Sequence, residues 1–260
     1  VTSTAPEPGI ARPATFAPSE SFVAQANTDA SLYDRSHADR EAFWAEQAGR
    51  LHWDQPWSQV LDWSGAPVAR WFVGGKLNVA YNCVDRHVLD GHGDQVAIHW
   101  EGEPGDSRDL TYADLLAEVS RAANYFTDLG LVAGDRVAIY MPMIPEAIVS
   151  MLACARLGLV HSVVFAGFSA GALRQRVQDA RARLVITTDG QWRRGKPAPI
   201  KYAVDEALAA HDESATEGVA DSSVEHVLVV RRTGLDVPWT VGRDLWWDET
   251  VALASPEHEA

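Results

Sequence analysis

After His87 the apolar positions fall into short runs that alternate between strand-like and helix-like spacing. Residues 95–100 read as a short strand. Thr111 then heads a helix in which Leu115, Val119, Ala122, Phe126 and Leu129 recur every three or four positions. Asp114 completes a capping pair with Thr111, and Gly130 stands where a left-handed residue ends a helix. Residues 136–140 form an apolar strand, Pro145 opens a helix to Leu157, and Gly158 closes it. Residues 161–165 are strand-like again, Ser169 caps a helix running to Ala180, and residues 183–187 make the next strand. Further on, residues 201–211 read as a helix, 224–230 as a strand and 244–253 as a helix. Runs such as 160–165 and 227–230 lack strict alternation, as strands buried on both faces do. Repeated strand–helix–strand units predict an α/β fold, a parallel sheet with helices on both faces.

The segments before this pattern look different. Residues 1–30 carry prolines at 6, 8, 13 and 18 without periodicity and read as a disordered tail. Residues 31–88 are Trp-rich and partly helical, without an alternating strand pattern, and Ser36 with Asp39 resembles a capping signature ahead of residues 41–50. Residues 89–260 hold the α/β pattern. Residues 212–223 are polar and read as a surface loop.

The chain has 260 residues and a formal charge of −14, a field that repels nucleic acid and anionic membranes. No apolar run approaches the ~20 residues needed to span a bilayer, and no signal peptide is visible. Two cysteines, Cys83 and Cys154, make no disulfide framework and fit a reducing, cytoplasmic setting.

Against the acidic background, residues 191–201 gather Arg193, Arg194, Lys196 and Lys201 around Gly195, with Pro197 and Pro199 limiting the freedom of the loop. Arginine forks and lysine point charges suit a phosphate monoester; the plainer reading is a solvated basic loop. Gly167-Phe168-Ser169-Ala170-Gly171 follows a strand and precedes a helix, and so fits a nucleophile elbow. Ser169 would then be a hydrolase nucleophile, with Asp189 or Asp205 and His211 or His226 as partners. The alternative is a helix cap at a glycine turn. Asp85, His87, Asp90, His92 and Asp94 are rich in metal-ligand types, but their spacing matches no zinc motif.

The run from Trp71 to His87 (WFVGGKLNVAYNCVDRH) closely resembles the N-terminal signature of acetyl-CoA synthetases of the adenylate-forming family, of which propionate enzymes carry looser versions. Ser162 to Ser169, Arg183 to Thr187, and Arg193 to Lys196 with Lys201 agree with it. The resemblance runs from about Leu32 to Val251. It implies the first part of that family's large N-terminal domain. The activity it implies joins acetate to coenzyme A through acetyl-adenylate, with ATP and Mg2+ as further needs. It also implies that coenzyme A rests against Phe165, Ala166 and Gly167, with its phosphates held by Arg193, Arg194, Gly195 and Lys196. The family typically has arginine where Lys196 stands. The ATP loop, acetate pocket, magnesium ligand and adenylation lysine are expected beyond Ala260. The resemblance therefore implies no catalytic residue within this chain, and it makes the remainder of the polypeptide a partner.

Overall fold

A computed structural model describes residues 16–209 and 223–260. Within them the chain forms two units, one of the described residues up to Leu51 with Trp57–Gly74, the other of His52–Pro56 with the described residues from Gly75 onward.

The first unit contains helices α1 (Glu20–Ala24), α2 (Ser31–Ala38) and α3 (Arg40–Ala48), and an antiparallel pair, β1 (Gln59–Asp62) and β2 (Arg70–Val73). Residues 1–15 of the expected tail lie outside the described residues. The β1–β2 hairpin departs from the strandless reading of this segment, because four-residue strands are too short to show alternation. The cap also differs. Asp39 alone caps α3, accepting from the Ala42 amide at 2.9 Å, whereas Ser36 lies inside α2. Trp44 meets Trp71 edge-on at 6.2 Å, and Trp57 meets Phe72 at 5.3 Å, so these aromatics pack this unit.

The second unit is built on five parallel strands, β5 (Arg136–Met141), β6 (Val160–Phe165), β7 (Leu184–Thr188), β10 (His226–Val230) and β11 (Asp244–Trp246), in the order β11-β10-β7-β5-β6. Side chains alternate across this sheet. Val137, Ile139 and Met141 of β5, Leu184 and Ile186 of β7, and Leu228 and Val230 of β10 pack on one face, against α4 (Tyr112–Asp128) and α5 (Pro145–Leu157). Ala138, Tyr140, Val185, Val227 and Val229 pack on the other, against α6 (Ala170–Ala180) and α7 (Lys201–Leu208). The inner strands β5, β7 and β10 are buried on both faces, which explains the run at 227–230. The edge strand β6 instead exposes Val160, Val163 and Phe165, so the run at 160–165 does not mark a strand covered on both sides.

Local signals explain the helix ends. Thr111 and Asp114 form the reciprocal capping box of α4, and Gly158 ends α5 at φ +68°. Two expectations need correcting. The strand β3 (Val96–Glu101) pairs antiparallel with β4 (Ser107–Thr111) outside the parallel sheet. Residues 244–253, expected to be a helix, are the strand β11 and a short 3-10 turn at Val251–Leu253. The buried Asp244 carboxylate, which binds Lys201 and Arg243, and Trp246, whose ring stacks on Trp239 at 4.4 Å, hold that segment extended. The expected helix 201–211 is described to Leu208, and most of the expected loop at 212–223 lies outside the described residues.

The signature run serves the fold as well. The Asp85 carboxylate takes a bidentate pair from Arg156 at 2.8 and 2.9 Å, and Asn82 bridges the backbone of His52. His87 lies against the Tyr112 ring and His92 meets Gln95. Asp85, His87 and His92 of the acid- and histidine-rich stretch thus turn to separate partners.

Candidate functional site

The chain enters the sheet at β5, steps outward to β6, then crosses back over β5 to β7 on the other side. Such a reversal leaves a crevice at the carboxyl ends of the strands, where ligands of open α/β sheets bind. Both stretches singled out in the sequence emerge at this edge.

The first is the turn after β6. Phe165 and Phe168 stand 58% and 45% exposed with their rings edge-to-face at 6.1 Å, whereas Ala166 is buried. The Tyr140 hydroxyl holds this turn from beneath, donating to the Phe168 carbonyl at 2.7 Å and the Ala166 carbonyl at 3.3 Å. Burial pushes that hydroxyl up from its ordinary pKa and keeps it a donor. Gly167 lets the Phe165 ring lie close over the backbone, since a Cβ there would push that exposed ring aside. The turn offers an aromatic face and an open stretch of backbone at Gly167.

The second is a hairpin, β8 (Gly190–Arg193) and β9 (Lys196–Pro199), rather than the irregular loop the sequence suggested. Arg193 pairs with Lys196, and the two residues between them, Arg194 at φ +55° and Gly195 at φ +74°, make the tight turn that matches strand twist. Pro197 and Pro199 lie on the outer strand, where missing amide donors are tolerated. Among the described residues, the side chains of Arg193, Arg194 and Lys196 are exposed and have no carboxylate partner.

The base of the hairpin is pinned by Asp189, a fully buried carboxylate. It accepts from the backbone amides of Gly190, Arg232, Thr233, Gly234 and Leu235 at 2.6–3.2 Å. The launching strand β7 lies two strand positions from β6, a lateral offset of about 10 Å. The aromatic turn and the basic hairpin therefore share one edge of the sheet. Among the described residues no hydrogen bond, ion pair or ring contact joins them directly.

Residues 85–259 match the model of the AMP-binding enzymes, and residues 30–83 match the acetyl-coenzyme A synthetase N-terminus. The chain belongs to the AMP-binding enzyme family. Its relatives include acetyl-coenzyme A synthetases of Mycobacterium tuberculosis (strain ATCC 25618 / H37Rv), 66% identical over 244 residues, and of Streptomyces avermitilis, 60% identical over 243 residues. The enzyme of that name in Deinococcus radiodurans is 49% identical over 248 residues. Each alignment covers 94% of this chain and 36% of the relative, so the chain spans about a third of the length of the curated relatives it matches. The parallel sheet between helical layers agrees with the N-terminal domain of AMP-binding enzymes.

The hydrolase reading falls with the geometry. Ser169 caps α6, accepting from the Ala172 amide at 3.3 Å. His226 begins β10 at the amino edge of the sheet, a strand length of about 17 Å from the edge that carries Ser169. Asp189 is consumed by amides, Asp205 is paired with Lys201 and Arg243, and His211 lies outside the described residues. Lys201 also leaves the basic cluster. It is fully buried, bound to Asp205 at 2.7 Å and Asp244 at 2.8 Å, and it anchors the hairpin's exit into α7.

Sequence reasoning missed Asp189 and Tyr140 as supports of the site. An acid placed between a buried strand and a glycine, as in Thr188-Asp189-Gly190, is the one local sign of the first. Tyr140 had no such sign.

Proposed function

We propose that the chain is the N-terminal portion of an AMP-forming acetate–CoA ligase and contributes one part of its coenzyme A site. Three exposed cations on a rigid hairpin, in a chain of charge −14, carry the coenzyme A assignment. Arg193, Arg194 and Lys196 would neutralise the 3′-phosphate, with Gly195 allowing close approach. Phe165 and Gly167 would offer a face and a backbone edge to the adenine, and Ala166 would pack beneath it. Coenzyme A supplies the thiol that accepts the acyl group. The residues present bind and orient its nucleotide end, and no proton transfer is assigned to them. The names of the relatives support acetate as the acid. ATP and Mg2+ belong to the whole protein's reaction, and the remainder of the polypeptide would complete the site. Two free cysteines, one exposed and one buried, suit a cytoplasmic location.

Calorimetry comparing coenzyme A with its 3′-dephospho form tests the assignment. A charge-assisted hydrogen bond contributes about 1.5–3 kcal/mol, so Arg193→Ala should weaken coenzyme A binding roughly 10- to 100-fold and leave the dephospho form nearly unchanged. Equal affinities of the two ligands for the wild-type chain would remove the phosphate role from the hairpin. By itself the chain should show no acetate-dependent pyrophosphate release.

A further inference from the structure

The tip of the basic hairpin is already in contact with a negative charge. The Gly195 amide, at the corner between Arg194 and Lys196, donates to the Glu103 carboxylate. Glu103 comes from a distant element, the turn between β3 and β4, 92 positions earlier in the chain.

That turn is firmly placed. The Gly102 amide donates to the Asp106 carbonyl at 2.7 Å, and Gly105 closes the loop at φ +88°. The Asp106 carboxylate takes two hydrogen bonds from Arg232, at 2.7 and 3.1 Å. Arg232 lies over the Trp100 ring at 5.0 Å, and its backbone amide donates to Asp189. Gly102 leaves room for this pair, because a Cβ there would push aside the Asp106 carboxylate and the Arg232 guanidinium. One connected set of contacts thus links the base of the hairpin, through Asp189 and Arg232, to the turn that carries Glu103.

The chemistry at the tip is uneven. Among the described residues the three flanking cations have no carboxylate partner on their side chains, while the Glu103 carboxylate is bonded to backbone. An acid serving only to neutralise the cluster would pair with Arg193, Arg194 or Lys196. A carboxylate oxygen on an amide between two basic residues occupies the place a phosphate oxygen would take.

We propose that Glu103 is an internal anion that holds the Gly195 amide in the ligand-free chain and must yield it to an incoming phosphate, setting how strongly the hairpin binds phosphate monoesters. This inference rests on the coenzyme A reading of the same hairpin. A carboxylate about 5 Å from a phosphate dianion in exposed surroundings weakens its binding about four- to tenfold. The penalty falls on every anion at the tip. Only ligands with further contacts, such as a nucleotide whose base reaches the aromatic turn, would overcome it.

Glu103→Gln separates charge from bracing, since the Gln carbonyl can still accept from Gly195. Glu103→Ala removes both. Each variant of the 15N-labelled chain is titrated with inorganic phosphate while the Gly195 amide resonance is followed. Because Glu103 is exposed, neither change burdens the core. Both variants should bind phosphate about four- to tenfold more tightly at this amide than the wild type, with the gain shrinking at high salt. Wild-type affinity in Glu103→Gln, weaker binding in both variants, or a Gly195 resonance that phosphate leaves unmoved in all three chains would each overturn the proposal. Coenzyme A and its dephospho form are titrated alongside. Failure of the wild type to tell them apart would end the coenzyme A reading, while the phosphate titration still decides the role of Glu103.

Discussion

Replacing Asp189 by Asn keeps the size of the side chain and exchanges one carboxylate oxygen for a group that can only donate. Oδ1 now accepts from Gly190, Arg232 and Thr233 at 2.6, 2.8 and 3.0 Å. Oδ2 accepts from Thr233, Gly234 and Leu235 at 3.2, 2.6 and 3.2 Å. Turned either way, the Asn amide faces at least two backbone donors with a donor of its own. A buried donor left unsatisfied costs about 1–3 kcal/mol, so two should cost about 4 kcal/mol together. With a urea dependence of about 2–3 kcal/mol per molar, the unfolding midpoint should fall by about 1–2 M. Urea titration followed by far-UV circular dichroism measures this directly. A midpoint within about 0.3 M of wild type, at unchanged slope, would show that this amide cluster is not what holds the corner between β7 and the hairpin.

Three other outcomes are expected. Gly190→Ala would bring a Cβ to 2.5 Å from the Thr233 hydroxyl and 2.8 Å from the Ala198 carbonyl, so it should destabilise by about 1–3 kcal/mol in the same titration. Native alkylation at mildly basic pH should modify Cys83 and spare Cys154, whose thiol is buried and pushed up to about 12, and mass mapping should find Cys154 modified only after unfolding. Burial pushes the Asp244 carboxyl up, but hydrogen bonds from Arg243 and Lys201 more than reverse this, leaving its folded pKa below the ordinary value. The folded state therefore holds this proton less tightly than the unfolded one. Its stabilising contribution is complete above about pH 4 and is lost as the pH falls further, so urea midpoints should drop steeply below about pH 4. Asp244→Asn should be less stable at neutral pH and show a shallower acid limb.

Much of the α/β pattern was legible because its signals are local. Thr111 with Asp114, Pro145 with Gly158, and Ser169 each mark a helix end through bonds made within a few residues. The segment 244–253 was misread because its conformation depends on Lys201, 43 positions away, and on the stacking of Trp246 against Trp239. The basic run 193–196 was visible as charge. Its hairpin form depends on a two-residue turn in which Arg194, not a glycine, takes the first positive φ, and residue type gave little warning of that.

The order of local pattern along the chain was enough to determine the inner strands β5, β7 and β10, the caps of α4, α5 and α6, and a concentration of cations in an acidic protein, since each depends on neighbours in sequence. Which side chains meet at the carboxyl edge of the sheet was decided only in three dimensions. Tyr140 reaches a turn 28 residues on, Asp189 gathers amides as far as 46 residues away, and Glu103 touches a hairpin 92 residues later. Buried carboxylates and hydroxyls take whichever donors and acceptors the packed layers bring to them. Their partners follow from topology and burial, which no stretch of neighbouring residues encodes.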